Sequence, residues 1–317
     1  MKKFMALRAK LRKKLEKREL VIAPGAYDAL TARVFDKAGY EAVYVTGHGV
    51  GAGMLGWTDV GLTTMTEMVW AIRNICNAVN VPVIADMDTG YGNVVNVVRA
   101  VKEYEQAGVA AFQIEDQTLP KKCGFMKGKT LITKEEMVGK IKAAVEARED
   151  PNLLIIARCD ARAIEGPEGL YQRLRAYAKA GADLLYPEAP CSAKDIKEDA
   201  EHLRGFPLYL IGSWLGPRYG LTFQDIADMG YSVMILSTLA FAIAPKAVYD
   251  AAMEVRRLGT YPDFVKEGKE FSWDELQELI RLPEVRRIEE RFLPSGEKKR
   301  RWHSEKLPKE YYIKGIP

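Results

Sequence analysis

Short apolar runs and longer amphipathic stretches alternate along this chain of 317 residues. Apolar runs fall at 21–25, 41–47, 81–88, 109–116, 152–160, 182–189, 206–213 and 231–238. They are near-continuous stretches of Val, Ile, Leu and Ala, the pattern of parallel strands buried on both faces. Between them, at 30–39, 63–79, 93–108, 133–149, 167–181, 193–205, 222–230 and 239–259, apolar residues recur at helical spacing. Thr64 or Thr66 and Thr133 stand where helix N-caps belong, and Gly39, Gly108, Gly181 and Gly230 stand where helices should stop. Eight strand–helix units in about 240 residues predict a (β/α)8 barrel of the TIM type, with a doubly wound sheet as the alternative. Polar residues crowd the C-terminal ends of the runs (Thr46, Asp86, Asp88, Glu115, Arg158, Asp160, Glu188, Ser213, Ser237), where a barrel carries its site. The predicted organisation is a helix within 1–19, a barrel over 20–258, a helical extension at 259–295 and a basic tail at 296–317.

Composition narrows the chemistry. Hydrophobic residues make up 48% and charged residues 28%, and the net charge of +4 sits largely at the two ends. No basic face interleaves with aromatics, so nucleic acid is not an expected partner. No run of about 18 apolar residues occurs, so no membrane span is expected. The four cysteines, Cys76, Cys123, Cys159 and Cys191, are far apart, which fits a cytoplasmic protein without disulfides. With only three histidines, a Ser-His-Asp triad or a multi-His metal centre has little to draw on. Acid–base work falls to Cys, Tyr, Lys or carboxylates.

Two strand ends and one loop stand out. Asp86 and Asp88 are alternate residues on one strand, so they face the same side, and Glu115 ends the next strand. An oxygen-only set of this kind suits Mg²⁺, which keeps waters and shares its shell with substrate. The alternative is that these acids cap helices or pair with lysines. Lys121, Lys122, Cys123 and Gly124 follow in a loop over the same rim. A thiol beside two lysines is expected to have a lowered pKa and to serve as nucleophile or proton carrier. Cys76 is expected in a helix core, and Cys159 on the face away from the rim, because Arg158 and Asp160 have the opposite parity. Arg158 and Glu188 end buried strands, so they require an ion pair with each other or an anionic ligand. The glycine-rich stretch at 47–53 approximates a dinucleotide fingerprint, but is better explained as a rim loop lying close to a substrate carboxylate.

The segments PGAYDALTAR, YVTGHG, MLGWTD, ADMDTGYGN, IEDQTLPKKCG, IIARCDAR and YPEA, in that order, resemble the isocitrate lyase/phosphoenolpyruvate mutase superfamily, in its 2-methylisocitrate lyase-like branch. The resemblance runs from about Leu20 to about Phe292. It implies a barrel whose last helix is swapped between subunits of a homotetramer. It also implies Mg²⁺-dependent cleavage of a 2-hydroxy carboxylic acid to an α-keto acid, Mn²⁺ being a substitute ion. By position it places Asp86, Asp88 and Glu115 at the metal, some through water, with Asp59 nearby. Cys123 becomes the acid/base. Tyr44, Thr46, Gly47 and His48 line the substrate carboxylate and hydroxyl, Tyr44 being a candidate base, and Arg158 and Glu188 flank the reacting centre. Lys121, Gly124 and Ser213 are further candidate substrate contacts. The chain departs from the family pattern at Phe125, where a His is usual, at Thr46-Gly47-His48-Gly49, and over 211–222, where an Asn and a Glu are replaced by the neighbourhood of Ser213, Trp214 and Arg218. An altered substrate is therefore expected, bulkier or with one carboxylate fewer. P–C mutase chemistry, oxaloacetate hydrolysis and a non-catalytic binding role are the alternatives.

Overall fold

The computed structural model describes residues 2–213 and 215–294. Trp214 and the basic tail at 296–317 lie outside the described residues. Eight parallel strands close in sequence order into a barrel. They are β1 (Val21–Ala26), β2 (Val43–Val45), β3 (Val83–Asp86), β4 (Ala111–Glu115), β5 (Leu154–Cys159), β6 (Leu184–Pro187), β7 (Leu208–Ile211) and β8 (Tyr231–Leu236). The helices are α1 (Lys2–Glu16), α2 (Ala29–Lys37), α3 (Gly47–Leu55), α4 (Met65–Ala78), α5 (Val94–Ala107), α6 (Lys134–Ala147), α7 (Arg162–Lys179), α8 (Ala193–His202), α9 (Phe223–Asp228), α10 (Leu239–Leu258), α11 (Trp273–Leu279) and α12 (Leu282–Phe292). β8 pairs back onto β1, with Val21 beside Val233 and Pro24 beside Leu236, which excludes the open doubly wound sheet.

Strand parity sorts the core into two layers. Leu154 and Ile156 of β5 point inward with Val21, Ile84, Ala111, Leu184, Tyr209 and Val233. Ile155, Ala157 and Cys159 point outward and pack with the helices. The next inward position at the top of β5 is Arg158, so the same alternation that fills the barrel delivers polar groups to its mouth. The opposite mouth is closed by α1, whose Leu11 and Leu15 join the inner layer. Arg8 anchors this plug, with Nε donating to the Val109 carbonyl at 2.8 Å and Nη1 lying 3.4 Å from Glu105 and 3.3 Å from Asp150.

Local signals act where they stand. Thr64 caps α4 in a reciprocal pair with Glu67, and Thr133 caps α6. Gly39, Gly108, Gly181 and Gly230 all end helices at φ between 85° and 109°. Cys76 is buried in the core, and all four cysteines are free. Among the described residues no helix is long and apolar enough to cross a membrane.

The described residues fall into two compact units that divide between Lys246 and Ala247, inside α10. In the second unit, α11 is capped by Ser272 with Glu275, and Lys269 pairs with Glu254 at 2.8 Å. No residue of α10 is buried, and Ile243, Val248, Tyr249 and Met253 are exposed along it.

Candidate active site

A cavity of about 240 Å³ opens at the C-terminal mouth of the barrel. Its polar side is formed by Asp86, Arg158, Glu188, His48, Asp59 and Cys123. Its apolar lining includes Ile211, Ile235, Phe241 and Phe125. Residues as far apart in sequence as Tyr44 and Phe241 therefore line one cavity.

On the floor, Tyr44 Oη donates to Asp86 Oδ2 at 3.2 Å. Burial, followed by the nearby Asp86 charge, holds the Tyr44 phenol well above its usual pKa. Tyr44 is thus a hydrogen-bond donor to Asp86. The Asp88 carboxylate is pushed up to about 6, mainly by burial and then by Asp86 and Asp59, against the lowering effect of Lys121. Glu115 is held well above the ordinary carboxylate range by burial.

Lys121 Nζ sits 2.5 Å from Asp59 Oδ1 and 2.9 Å from Asp88 Oδ1. Burial opposes its charge, but Asp88, Glu115, Asp59 and Asp86 outweigh that and hold the ammonium well above its usual pKa. The side chain is 2% exposed and faces the carboxylates.

Asp88 Oδ1 and both carboxylate oxygens of Glu115 are buried without a hydrogen bond. For Asp88 this holds even though the Lys121 ammonium is 2.9 Å away, since proximity alone does not supply hydrogen-bond geometry. Asp88 Oδ1 and Glu115 Oε2 still face the charges of Lys121 and Arg158, whereas Glu115 Oε1 has no hydrogen bond, and a buried oxygen of that kind is costly unless a cation takes it. Asp86, Asp88 and Glu115 do not form a compact triad of donor atoms; among the described residues that arrangement belongs to His48, Asp59 and Cys123. One or two direct carboxylates with the remainder acting through water is the way Mg²⁺ is commonly held, so the residues fit that ion.

Arg158 is the hub of the opposite wall. Its Nε lies 2.8 Å from Asp160 Oδ2 and 3.3 Å from Glu115 Oε2, and its Nη2 lies 3.4 Å from Glu188 Oε1. Its guanidinium also lies 5.5 Å from the centre of the Tyr186 ring. The Arg158–Glu188 pair anticipated from sequence is therefore present within a larger network. Glu188 Oε2 has no hydrogen bond, and burial raises the Glu188 pKa. Asp116, next to Glu115, turns outward and accepts from Tyr177 Oη at 2.7 Å and from the Cys159 thiol at 3.0 Å.

The thiol loop closes over this network. Cys123 N–H donates to the Asp59 carbonyl at 3.1 Å. Lys129 Nζ bonds the Gly124 carbonyl and pairs with Asp160 at 3.0 Å, tying the loop to the end of β5. Lys129 escaped the sequence reading; its only signal is the second lysine cluster after Cys123. The Cys123 pKa is raised, chiefly by burial, so the lowered value expected from two adjacent lysines is corrected. Lys121 is spent on Asp59 and Asp88, and Lys122 Nζ donates to the Gly128 carbonyl at 2.9 Å. Cys123 is therefore a thiol at neutral pH. Alkylation by iodoacetamide should be slower at Cys123 than at a free cysteine at pH 7 and should accelerate only above pH 9. Peptide mapping checks this, and rapid labelling at pH 7 would contradict it.

The glycine-rich stretch is helix α3 and not a loop. It starts at Gly47 directly after the cap Thr46, whose hydroxyl accepts from Gly49 N at 3.3 Å. Glycine is required for close packing: a Cβ at Gly47 would lie 2.8 Å from Asp86 Oδ2, and one at Gly51 would lie 2.9 Å from Thr63 Oγ1. Thr46 and His48 then face the cavity from the positive end of a helix. Ser213 does not line the cavity. Its hydroxyl lies 3.4 Å from Ser237 Oγ and accepts from Thr238 N at 3.3 Å. Ser237, Thr238 and Phe241 line the cavity, and all three lie past the end of β8, where strand parity gives no guide. Arg218 lies over Phe125 at 6.0 Å and over Tyr219 at 5.6 Å, so two departures from the family pattern meet across the mouth.

Known proteins share both sequence and fold with this chain. It is 43% identical to 2,3-dimethylmalate lyase of Eubacterium barkeri over 90% of this chain and 97% of that protein. It is 40% identical to 2-methylisocitrate lyase of Aeropyrum pernix over 85% and 86% of the two chains. A crystal structure of 2,3-dimethylmalate lyase superposes with a TM-score of 0.84 at 34% identity, covering 90% of this chain and 95% of that one. Residues 11–256 match the family described as phosphoenolpyruvate phosphomutase. The barrel, the acidic floor and the sequence relationships together make this chain a member of the phosphoenolpyruvate mutase/isocitrate lyase superfamily.

Proposed function

We propose that the barrel mouth cleaves a carbon–carbon bond in a 2-hydroxy carboxylic acid, giving an α-keto acid and a carboxylate, or runs the reverse condensation. The observation that carries this reading is the meeting, in one cavity, of the buried carboxylates Asp86 and Glu188, the latter with an Oε2 that makes no hydrogen bond, a buried guanidinium and a protonated thiol. The lyases among its relatives support the same reaction class.

Asp86, Asp88 and Glu115, with Asp59 beside them, would hold Mg²⁺, or Mn²⁺ in its stead. Bound there, the ion polarises the substrate's hydroxyl and carboxylate oxygens. Glu188, with a free Oε2 and a pKa raised by burial, takes the hydroxyl proton. As the bond breaks, negative charge moves onto the departing carboxylate enolate, and Arg158 faces that charge. Cys123, kept protonated by burial, delivers its proton to the enolate carbon. Transfer of the Glu188 proton to the Cys123 thiolate through solvent restores both groups. Thr46 and His48 orient the substrate carboxylate at the start of α3. Gly124 lets the loop lie against Arg158 and Glu188.

The apolar lining of Ile211, Ile235, Phe241 and Phe125 favours a substrate with an alkyl-bearing carbon next to the cleaved bond. We assign the reaction to the cytoplasm and the protein to a homotetramer in which α10 is covered by a neighbouring subunit. Sedimentation velocity should give a tetramer, and a monomer would remove this part of the reading.

The central test is keto-acid release across a panel of alkylated 2-hydroxy diacids, with Mg²⁺ and with EDTA. EDTA should abolish turnover. Cys123→Ser should lower kcat by about 10²–10⁴-fold, the usual worth of a positioned proton donor. Undiminished turnover in Cys123→Ser would remove the thiol from the reaction, and no keto acid from any substrate would defeat the lyase reading.

A further inference from the structure

His48, Asp59 and Cys123 come from three separate segments: the first turn of α3, the loop after it and the loop after β4. One donor atom from each, an imidazole nitrogen, a carboxylate oxygen and a thiol sulfur, lies within 4.8 Å of both others. All three residues are partly buried and line the cavity. Their positions are held from behind. The His48 ring packs 4.5 Å from the Phe241 ring, and Cys123 N–H is bonded to the Asp59 carbonyl at 3.1 Å. Lys121 grips Asp59 Oδ1 at 2.5 Å, which orients the carboxylate as an outer partner orients a metal ligand.

Asp59 flanks the acidic floor and is common to both, but the donor set as a whole differs in kind. Mg²⁺ takes oxygens, whereas mixed nitrogen, oxygen and sulfur donors suit Zn²⁺ and similar cations. Tetrahedral bonds of about 2.0–2.3 Å put ligand atoms about 3.3–3.8 Å apart, so modest side-chain rotation brings these three onto one ion. The local charge is also suited to a cation: Lys121 is already answered by Asp59 and Asp88.

We propose that His48, Asp59 and Cys123 form a second metal site, taking a thiophilic divalent cation of the zinc type and leaving its fourth position open to the cavity. On binding, the Cys123 S–H bond breaks, the proton goes to solvent and a sulfur–metal bond forms, with no change in oxidation state. A metal-bound Cys123 has no proton to give, so occupancy shuts down turnover; this consequence, but not the site, rests on the lyase reading. His48 supplies the nitrogen at a position where the superfamily pattern has glycine.

Co²⁺ is the probe, added to the full-length protein and followed by absorption. One equivalent should give a near-ultraviolet sulfur-to-cobalt charge-transfer band together with the strong visible bands of a tetrahedral site. Cys123→Ser should lose the charge-transfer band, and His48→Asn should weaken Co²⁺ binding by about tenfold or more. Zn²⁺ should bleach the spectrum at one equivalent, and millimolar Mg²⁺ should not. Circular dichroism confirms that each variant is folded. No band at stoichiometric Co²⁺, a band that survives in Cys123→Ser, or displacement by Mg²⁺ overturns the site. A site that binds Co²⁺ as described while Zn²⁺ leaves keto-acid release untouched upholds the site and overturns the thiol's role in turnover.

Discussion

Arg158→Met is expected to destabilise the protein by about 3–5 kcal/mol at pH 8, the usual cost of removing one partner from a buried ion pair. The guanidinium serves Asp160, Glu115 and Glu188 together, and all three carboxylates are buried. Asp160 keeps Lys129 at 3.0 Å, so most of the loss falls on Glu115 and Glu188. Burial already raises the pKa of both, and without Arg158 both rise further. A carboxylate with a raised folded-state pKa contributes its full stability below the unfolded value and loses it as pH rises through the folded value. The deficit of Arg158→Met should therefore shrink between pH 8 and pH 5. Urea unfolding at the two pH values measures it, and an equal deficit at both would refute the uncompensated-charge account. Turnover should be lost at either pH, because the charge facing the enolate is gone.

Gly124→Val should leave stability nearly unchanged and cut kcat/KM by about 10²-fold, the scale associated with misplacing a reacting group by about 1 Å. A Cβ built at Gly124 overlaps Glu188 Oε1 and lies 2.6 Å from Arg158 Nη2. Those two side chains are fixed by the ion-pair network, whereas the loop is exposed at Phe125. The loop is the part that yields, carrying Cys123 away from the mouth. The loss should appear mainly in kcat, since the floor and Arg158 remain in place to bind substrate. Steady-state kinetics beside a urea midpoint separates this from unfolding. Normal turnover in a folded Gly124→Val would show that closure of the loop does not govern the reaction.

The barrel was legible in the sequence because its rules are local or periodic. Near-continuous apolar runs, helical stretches between them, the threonine caps and the terminating glycines act over a few residues. Parity along β5 alone places Cys159 outside and Arg158 inside, as observed. The acidic strand ends were legible for the same reason. What local pattern could not supply was the partner of each side chain. Lys121 stands two residues before Cys123 in sequence, but the fold gives its ammonium to Asp59 and Asp88, and burial then raises the thiol pKa that closeness in sequence seemed to lower. Tyr44 became a donor because β2 and β3 pair with Tyr44 beside Ile84, bringing its hydroxyl to Asp86. The stretch at 47–53 contains four glycines that weaken any helical signal. It forms α3 because Thr46 caps it and the neighbouring Asp86 and Thr63 leave no room for side chains at Gly47 and Gly51. The sequence by itself determined the strand–helix order and the residue types available at the barrel mouth. Only the tertiary structure decided which charges pair, which oxygens stay unpaired and which three donors meet, because burial and Coulomb interactions depend on distance in space.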